Sequence, residues 1–318
     1  MRWPTSKLAT LLLSAVPTAA LAFQPISGPV TTRSTAPANV VLLLDNSSSM
    51  VLNSTGGRTR LAIMQEAASQ LLHQHRDLRF GLFTFNPAAG KGAQRDTAGG
   101  RLLVPVDGIA EDAAGLQHLQ RLEQAIANLN PAAGNDPDLY TWTPLAETHY
   151  EISRYLRGMS SFYDPALPRY QSPLQWRCQA SAAVVLTDGL PTHDSVFPAS
   201  SQQEPAGQNP HLPGNWHLPD WDGDSSNDTT GASLQDPGST FYLDDMAAFA
   251  RALDLRQGGL DAAGQSWDDP AYPAQNLRTY TLGFAIDDPR LRAAAQAGGG
   301  RYLSVVDASG LSDALGHI

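Results

Sequence analysis

The chain has 318 residues, with 31 acidic against 21 basic, a formal net charge of −10, and one cysteine. That acid excess repels phosphate, which excludes nucleic acid and an anionic membrane surface as partners. The length suffices for one well-buried α/β core with large insertions, and the lone Cys178 excludes an internal disulfide and reads as a small buried apolar side chain.

In chain order, the basic start from Met1-Arg2 to Lys7 precedes an apolar stretch, 8–16, and then Ala20-Leu21-Ala22. This is the pattern of a secretory signal peptide, 1–22, cut before Phe23. No later stretch approaches the ~18 apolar residues of a membrane span. The expectation is export to the periplasm, cell surface or a pilus tip, without membrane insertion after signal cleavage. Residues 23–38, rich in Pro, Thr and Ser, predict a disordered leader before a domain over 39–318.

The apolar run 40–44 predicts a buried parallel strand that ends at Asp45-Asn46-Ser47-Ser48-Ser49. A helix is expected over 60–74, with Leu61, Met64, Ala68 and Leu71 on its buried face. A strand follows over 79–85. The run 102–106 reads as a short edge strand, because Pro105 cannot serve a sheet interior. The next helix, 111–129, carries Leu116, Leu119, Ile126 and Leu129 in register.

Thr143-Pro144 then opens a helix in which Leu145, His149, Ile152 and Leu156 share a face. Pro144 suits the first helical position and places Thr143 at the cap. The strand 182–187 ends at Asp188 and at Gly189, which permits a sharp turn. A helix near 242–255, a strand over 278–283, a helix over 289–297, a strand over 302–305 and a last short helix complete the chain. Strands alternating with amphipathic helices predict an α/β fold with a mostly parallel sheet covered on both faces. Two segments rich in Pro, Gly and Asp, about 158–177 and 191–239, read as insertions that decorate the rim of the site.

The chemistry gathers at strand ends, where open α/β sheets bind ligands. Asp45, Ser47 and Ser49 alternate, so their oxygens can turn toward one point. A carboxylate with neutral hydroxyls suits a hard divalent cation and leaves it unsaturated. Asp-x-Ser-x-Ser, then Thr143, then Thr187-Asp188-Gly189 form a composite signal stronger than any one part.

At these residues the chain resembles the von Willebrand factor A domain, whose metal-ion-dependent adhesion site has this pattern. The stretches 80–86, 143–147, 242–245 and 280–284 are further similar to the N-terminal A-type domain of the PilY1/PilC group of type IV pilus tip proteins. The resemblance covers nearly everything after residue 38. It implies a Rossmann-like fold, with Asp45, Ser47, Ser49, Thr143 and Asp188 as metal ligands, direct or through water. Ser48 stands where the family often has Gly. Thr141 and Trp142 stand where glycines often precede the Thr, and Trp142 is expected to narrow ligand choice or stiffen the loop.

The expected cofactor is Mg²⁺, with Mn²⁺ or Ca²⁺ as alternatives, since all prefer oxygen. The electrophilic ion would capture a carboxylate of a protein ligand, such as a pilus minor subunit or a host surface protein. The expected role is adhesion or pilus assembly, with a periplasmic scaffold as the rival. No catalytic residue is expected. Ser47 or Ser49 as nucleophile lacks a base, His149 reads as core and His193 as rim, and a metal-dependent hydrolase is the remaining alternative. In the second insertion, Asp222, Asp224 and Asp228 alternate like the start of a calcium loop, but its Gly and Glu are missing, so a solvated acidic loop is the first reading. His211, His217, Asp220 and Asp222 have the weak spacing of a zinc site.

Overall fold

The computed structural model describes residues 36–305, apart from 53, 87–98, 131–140, 190, 199–217, 219, 222–241 and 285. The predicted signal peptide, most of the leader, the last short helix, His211, His217, Asp222, Asp224 and Asp228 therefore lie outside the described residues.

A six-stranded sheet has the order β5-β4-β1-β6-β7-β8. Its strands are β1 (Asn39–Leu44), β4 (Arg79–Phe85), β5 (Gly100–Gly108), β6 (Ser181–Thr187), β7 (Leu277–Phe284) and β8 (Gly299–Val305). All neighbours run parallel except β4 and β5. The chain steps outward from β1 to β4 and β5, then returns to place β6 on the other side of β1. A doubly wound sheet reverses direction at such a point and leaves a crevice outside the strand ends. The architecture is Rossmann-like, as the resemblance implied.

Every residue of β1 is buried because both faces of the sheet are covered. Val40, Leu42 and Leu44 pack with α2 (Arg60–Gln74) and α3 (Ala113–Ala127). The alternate residues Val41 and Leu43 pack with α4 (Leu145–Leu156), α5 (Leu243–Ala252) and α6 (Pro289–Ala297). This two-residue period is the pleat of the strand. The central helix α4 is buried around its whole circumference, which explains why a single apolar stripe understates it.

Several expectations need correcting. The edge strand β5 is longer than predicted, running from Gly100 to Gly108, and tolerates Pro105 through register shifts against β4. Helix α3 starts at Ala113 behind the cap Asp112 and ends at Ala127; Leu116 faces solvent, and His118 takes a buried place instead. Pro37 and Ala38, assigned to the leader, are held by bonds from Gln179 and from the amide of Arg79. The segment 158–177 is tied to the body by Tyr170, whose hydroxyl donates to Glu151, and by Arg79, which donates to the carbonyl of Pro173. Gln175 and Trp176 line a cleft of about 740 Å³ with Ala38 and Arg79 at the amino ends of the strands, so this end of the segment lies away from the site. Cys178 is a free, half-buried thiol.

Two small elements had no sequence signal: α1 (Ser49–Leu52) and a hairpin of β2 (Ser54–Thr55) with β3 (Arg58–Thr59). No helix among the described residues is long and apolar enough to cross a membrane.

Candidate metal centre

The parallel pairing of β1 with β6 aligns Leu44 with Leu186. One residue further on, the amide of Asp45 still donates to the carbonyl of Leu186 at 3.0 Å. Asp45 and Thr187 thus leave the sheet side by side, and the Thr187 hydroxyl donates to Asp45 Oδ2 at 2.6 Å. The amide of Ser47 donates to Asp45 Oδ1 at 2.7 Å, which closes the turn. Both carboxylate oxygens therefore accept one bond and retain lone pairs for a cation.

Asp45 is wholly buried, and among the described residues no basic side chain pairs with it. Burial first, and then the like charge of Asp188, push its carboxyl well above the usual range, against the pull of the Ser47 and Thr187 bonds. A cation at this point would oppose that shift by favouring the ionised carboxylate.

The two serines join the acids. Ser49 donates to Asp188 Oδ1 at 2.6 Å, and the Ser47 and Ser49 hydroxyl oxygens are 2.9 Å apart. Since Ser49 gives its proton to Asp188, its oxygen is left to accept, and the Ser47 hydroxyl lies within reach of both Ser49 and Asp45. Gly189 is not needed for its backbone freedom, since its φ is not positive; its amide instead bonds back to Thr187.

The loop that carries Thr143 is held beside the site, but no hydrogen bond joins the Thr143 hydroxyl to the acids or serines among the described residues. The amide of Ser48 donates to the carbonyl of Thr141 at 3.2 Å, and the amide of Thr141 donates to the Ser48 hydroxyl at 3.3 Å. Ser48 thus uses its hydroxyl to pin the second loop, a contact that glycine could not make. Thr143 itself donates its amide to Thr192 Oγ1 and accepts from the Thr192 amide. It is not the helix cap. Pro144 takes the cap position without a side-chain bond, and Asp194 accepts from the amides of Ala146 and Glu147, both at 2.8 Å.

Trp142 stacks on His193, with ring centroids 4.1 Å apart. His193 is the one non-glycine residue with positive φ among the described residues, at 50°. Backbone held in that sparsely populated region clusters at functional sites. His149 is buried, bonds Thr279 Oγ1 at 2.8 Å, and is lowered by burial to about 4, as a core histidine should be.

Sequence reasoning missed Arg60. Its Nη1 donates to Asp188 Oδ2 at 2.7 Å. A signal was present, since a cation at the first position of a helix opposes the helix dipole and needs another reason to be there. It also missed Glu147, which accepts from the amides of Gly99 and Val196. Gly99 has positive φ, and a Cβ there would overlap the ring of Tyr163, so only glycine can bring that amide to Glu147.

Among the described residues no group of three or more His, Cys, Asp and Glu gathers as for a metal. A cation here must draw on hydroxyls as well as Asp45 and Asp188. That all-oxygen set fits a hard ion such as Mg²⁺, Mn²⁺ or Ca²⁺.

No family model and no curated protein matches the chain. Solved structures do resemble it. The pilus adhesin SpaC from Lactobacillus rhamnosus GG matches 88% of this chain at 17% identity and a TM-score of 0.44. A von Willebrand factor type A protein from Catenulispora acidiphila matches 88% at 14% identity and a TM-score of 0.44. The conserved hypothetical protein BatB from Bacteroides thetaiotaomicron matches 88% at 13% identity and a TM-score of 0.42, over 98% of its own length. The chain spans 30% of the SpaC structure and 41% of the Catenulispora one. At these values the likeness is one of outline alone.

Proposed function

We propose that this chain is a metal-dependent binding module. Asp45, Ser47, Ser49, Thr143 and Asp188 would hold a divalent cation, Mg²⁺ first, directly or through water. The observation that carries this reading is Asp45: a wholly buried carboxylate at the switch point of the sheet, beside a second acid, with no basic partner among the described residues. A bound ion would supply an electrophile for one carboxylate of a protein partner. The chain's own residues fix where that happens: Ser48 clamps the Thr143 loop, and Asp194 anchors the helix behind it.

On this reading the module binds a partner, with Ser47 and Ser49 as ligands and not as nucleophiles. Ser49 bonds Asp188 and Ser47, and no histidine bonds either hydroxyl among the described residues. Its place in adhesion or type IV pilus assembly, after export to the cell surface, rests on the sequence resemblance.

Calorimetric titration of Mg²⁺, Mn²⁺ and Ca²⁺ into the purified chain tests the site. Binding should appear in the wild type and vanish in Asp45→Ala and Asp188→Ala. A folded wild type that binds none of the three ions overturns the reading. Deleting the gene then separates the roles, because lost pili indicate assembly and intact pili with lost attachment indicate adhesion. Normal pili with normal attachment remove the pilus assignment.

A further inference from the structure

Arg60 stands where a bound cation would compete with it. It opens α2 directly after the β2–β3 hairpin, and its guanidinium lies against Asp188. The Asp188 side chain is 0% exposed, while that of Arg60 keeps 20% of its surface in solvent. Arg60 Nε is buried without a hydrogen-bond partner among the described residues. The side chain thus neutralises one acid of the site, reaches solvent, and carries a donor that no described residue satisfies. An unsatisfied buried donor is costly and calls for an explanation, which an incoming carboxylate would supply.

We infer that Arg60 couples the two ligands of the proposed site, weakening the cation on its own and strengthening the partner's carboxylate once the cation is present. This rests on the metal-binding function proposed above. Asp45, Asp188 and Arg60 together carry one negative charge. A divalent ion turns that into one positive charge, which a single carboxylate balances. Without Arg60 the same residues carry two negative charges. They would hold the cation more tightly and end neutral, with no net charge left to draw an anion.

Arginine suits this task better than a titrating group, because its charge is fixed and its planar fork can serve Asp188 and a second carboxylate at once. A buried Asp188 also needs a counter-ion when no metal is bound, since an isolated buried charge is expensive. Arg60 meets that need. The chain can then fold before a metal arrives, and it retains the metal firmly only in company with its partner.

The test is titration of Mn²⁺ into the full chain, with and without acetate, at constant ionic strength set by chloride. In the wild type acetate should tighten Mn²⁺ binding. In Arg60→Gln, Mn²⁺ alone should bind about tenfold more tightly, the scale of one unit charge acting on a divalent ion through hydrated protein, and the acetate effect should be lost. Arg60→Lys, which keeps the charge but not the planar fork, should restore the weaker Mn²⁺ binding and only part of the acetate effect. Unchanged or weaker Mn²⁺ binding in a folded Arg60→Gln chain overturns the inference and leaves the metal site standing. If Arg60→Gln does not fold, the wild type decides, because Mn²⁺ binding that acetate does not tighten overturns the coupling. A wild type that binds no Mn²⁺, Mg²⁺ or Ca²⁺ overturns the function and the inference together.

Discussion

Two pairs of buried acids lie near the carboxyl ends of the strands, and their oxygens are treated differently. Asp194 and Glu147 spend their oxygens on backbone amides, those of Ala146 and Glu147 in one case and of Gly99 and Val196 in the other. Asp45 and Asp188 receive mostly movable donors: the hydroxyls of Thr187 and Ser49 and the guanidinium of Arg60, with one amide from Ser47. Amides fixed in a folded backbone cannot turn away, whereas a hydroxyl rotates and then offers a lone pair. Burial alone therefore does not mark a binding site. The pair facing amides is a fastening; the pair facing hydroxyls is the one proposed to receive a cation.

That contrast can be broken by mutation. Asp194→Ala should cost the most stability, about 3 kcal/mol, because two helix-start amides lose their acceptor at about 1–3 kcal/mol each. Urea unfolding measures it, and a loss below about 1 kcal/mol would remove the fastening role. Asp45→Asn should do the opposite, leaving the metal-free fold as stable as before or slightly more so, since it deletes a buried charge and keeps the shape. The same variant should no longer gain melting temperature from Mg²⁺. In the wild type a cation at 100 times its Kd should add about 2.7 kcal/mol, and equal gains in both proteins would sink the site.

The fastening should also respond to pH. Burial, and then the charge of Asp194, raise Glu147 far above its ordinary 4.5. The folded chain keeps a proton that the unfolded chain releases, so stability should fall as pH rises beyond that value. Glu147→Gln should flatten this slope; parallel curves for the two proteins would refute it. His149 acts in the other direction. Lowered by burial from 6.5 to about 4, it stays neutral while the unfolded chain takes up a proton. Its contribution is present above pH 6.5 and is lost as pH falls toward 4. The smallest expected effect is Trp142→Ala, a loss of about 1 kcal/mol from the ring contact with His193. A crystal structure of that variant with His193 still at positive φ would show that the stack does not hold the backbone there.

Much of this was legible where the information is local. Helix α2, strand β4 and helix α6 have the bounds expected for them, because apolar spacing lies within one window of sequence; the caps Thr59 and Asp288 that open the two helices are seen only in the structure. Asp45, Ser47, Ser49 and Asp188 come together as the strand-end reading expects. The cap of α4 was not legible, since its acceptor Asp194 is 48 residues from the amide it serves. Arg60 was missed for a related reason. Its partner is 128 residues away, and only an unfavourable charge at a helix start hinted at it.

The antiparallel edge β5 has a consequence beyond register. Pro105 is exposed and has no N–H to offer, and Arg101 and Asp107 on the same strand are exposed as well. A second molecule that tried to extend the sheet by laying a strand along β5 would meet a missing donor and two charges. At high local concentration this rim would then stay unfused to its neighbours, and each copy would remain a separate molecule.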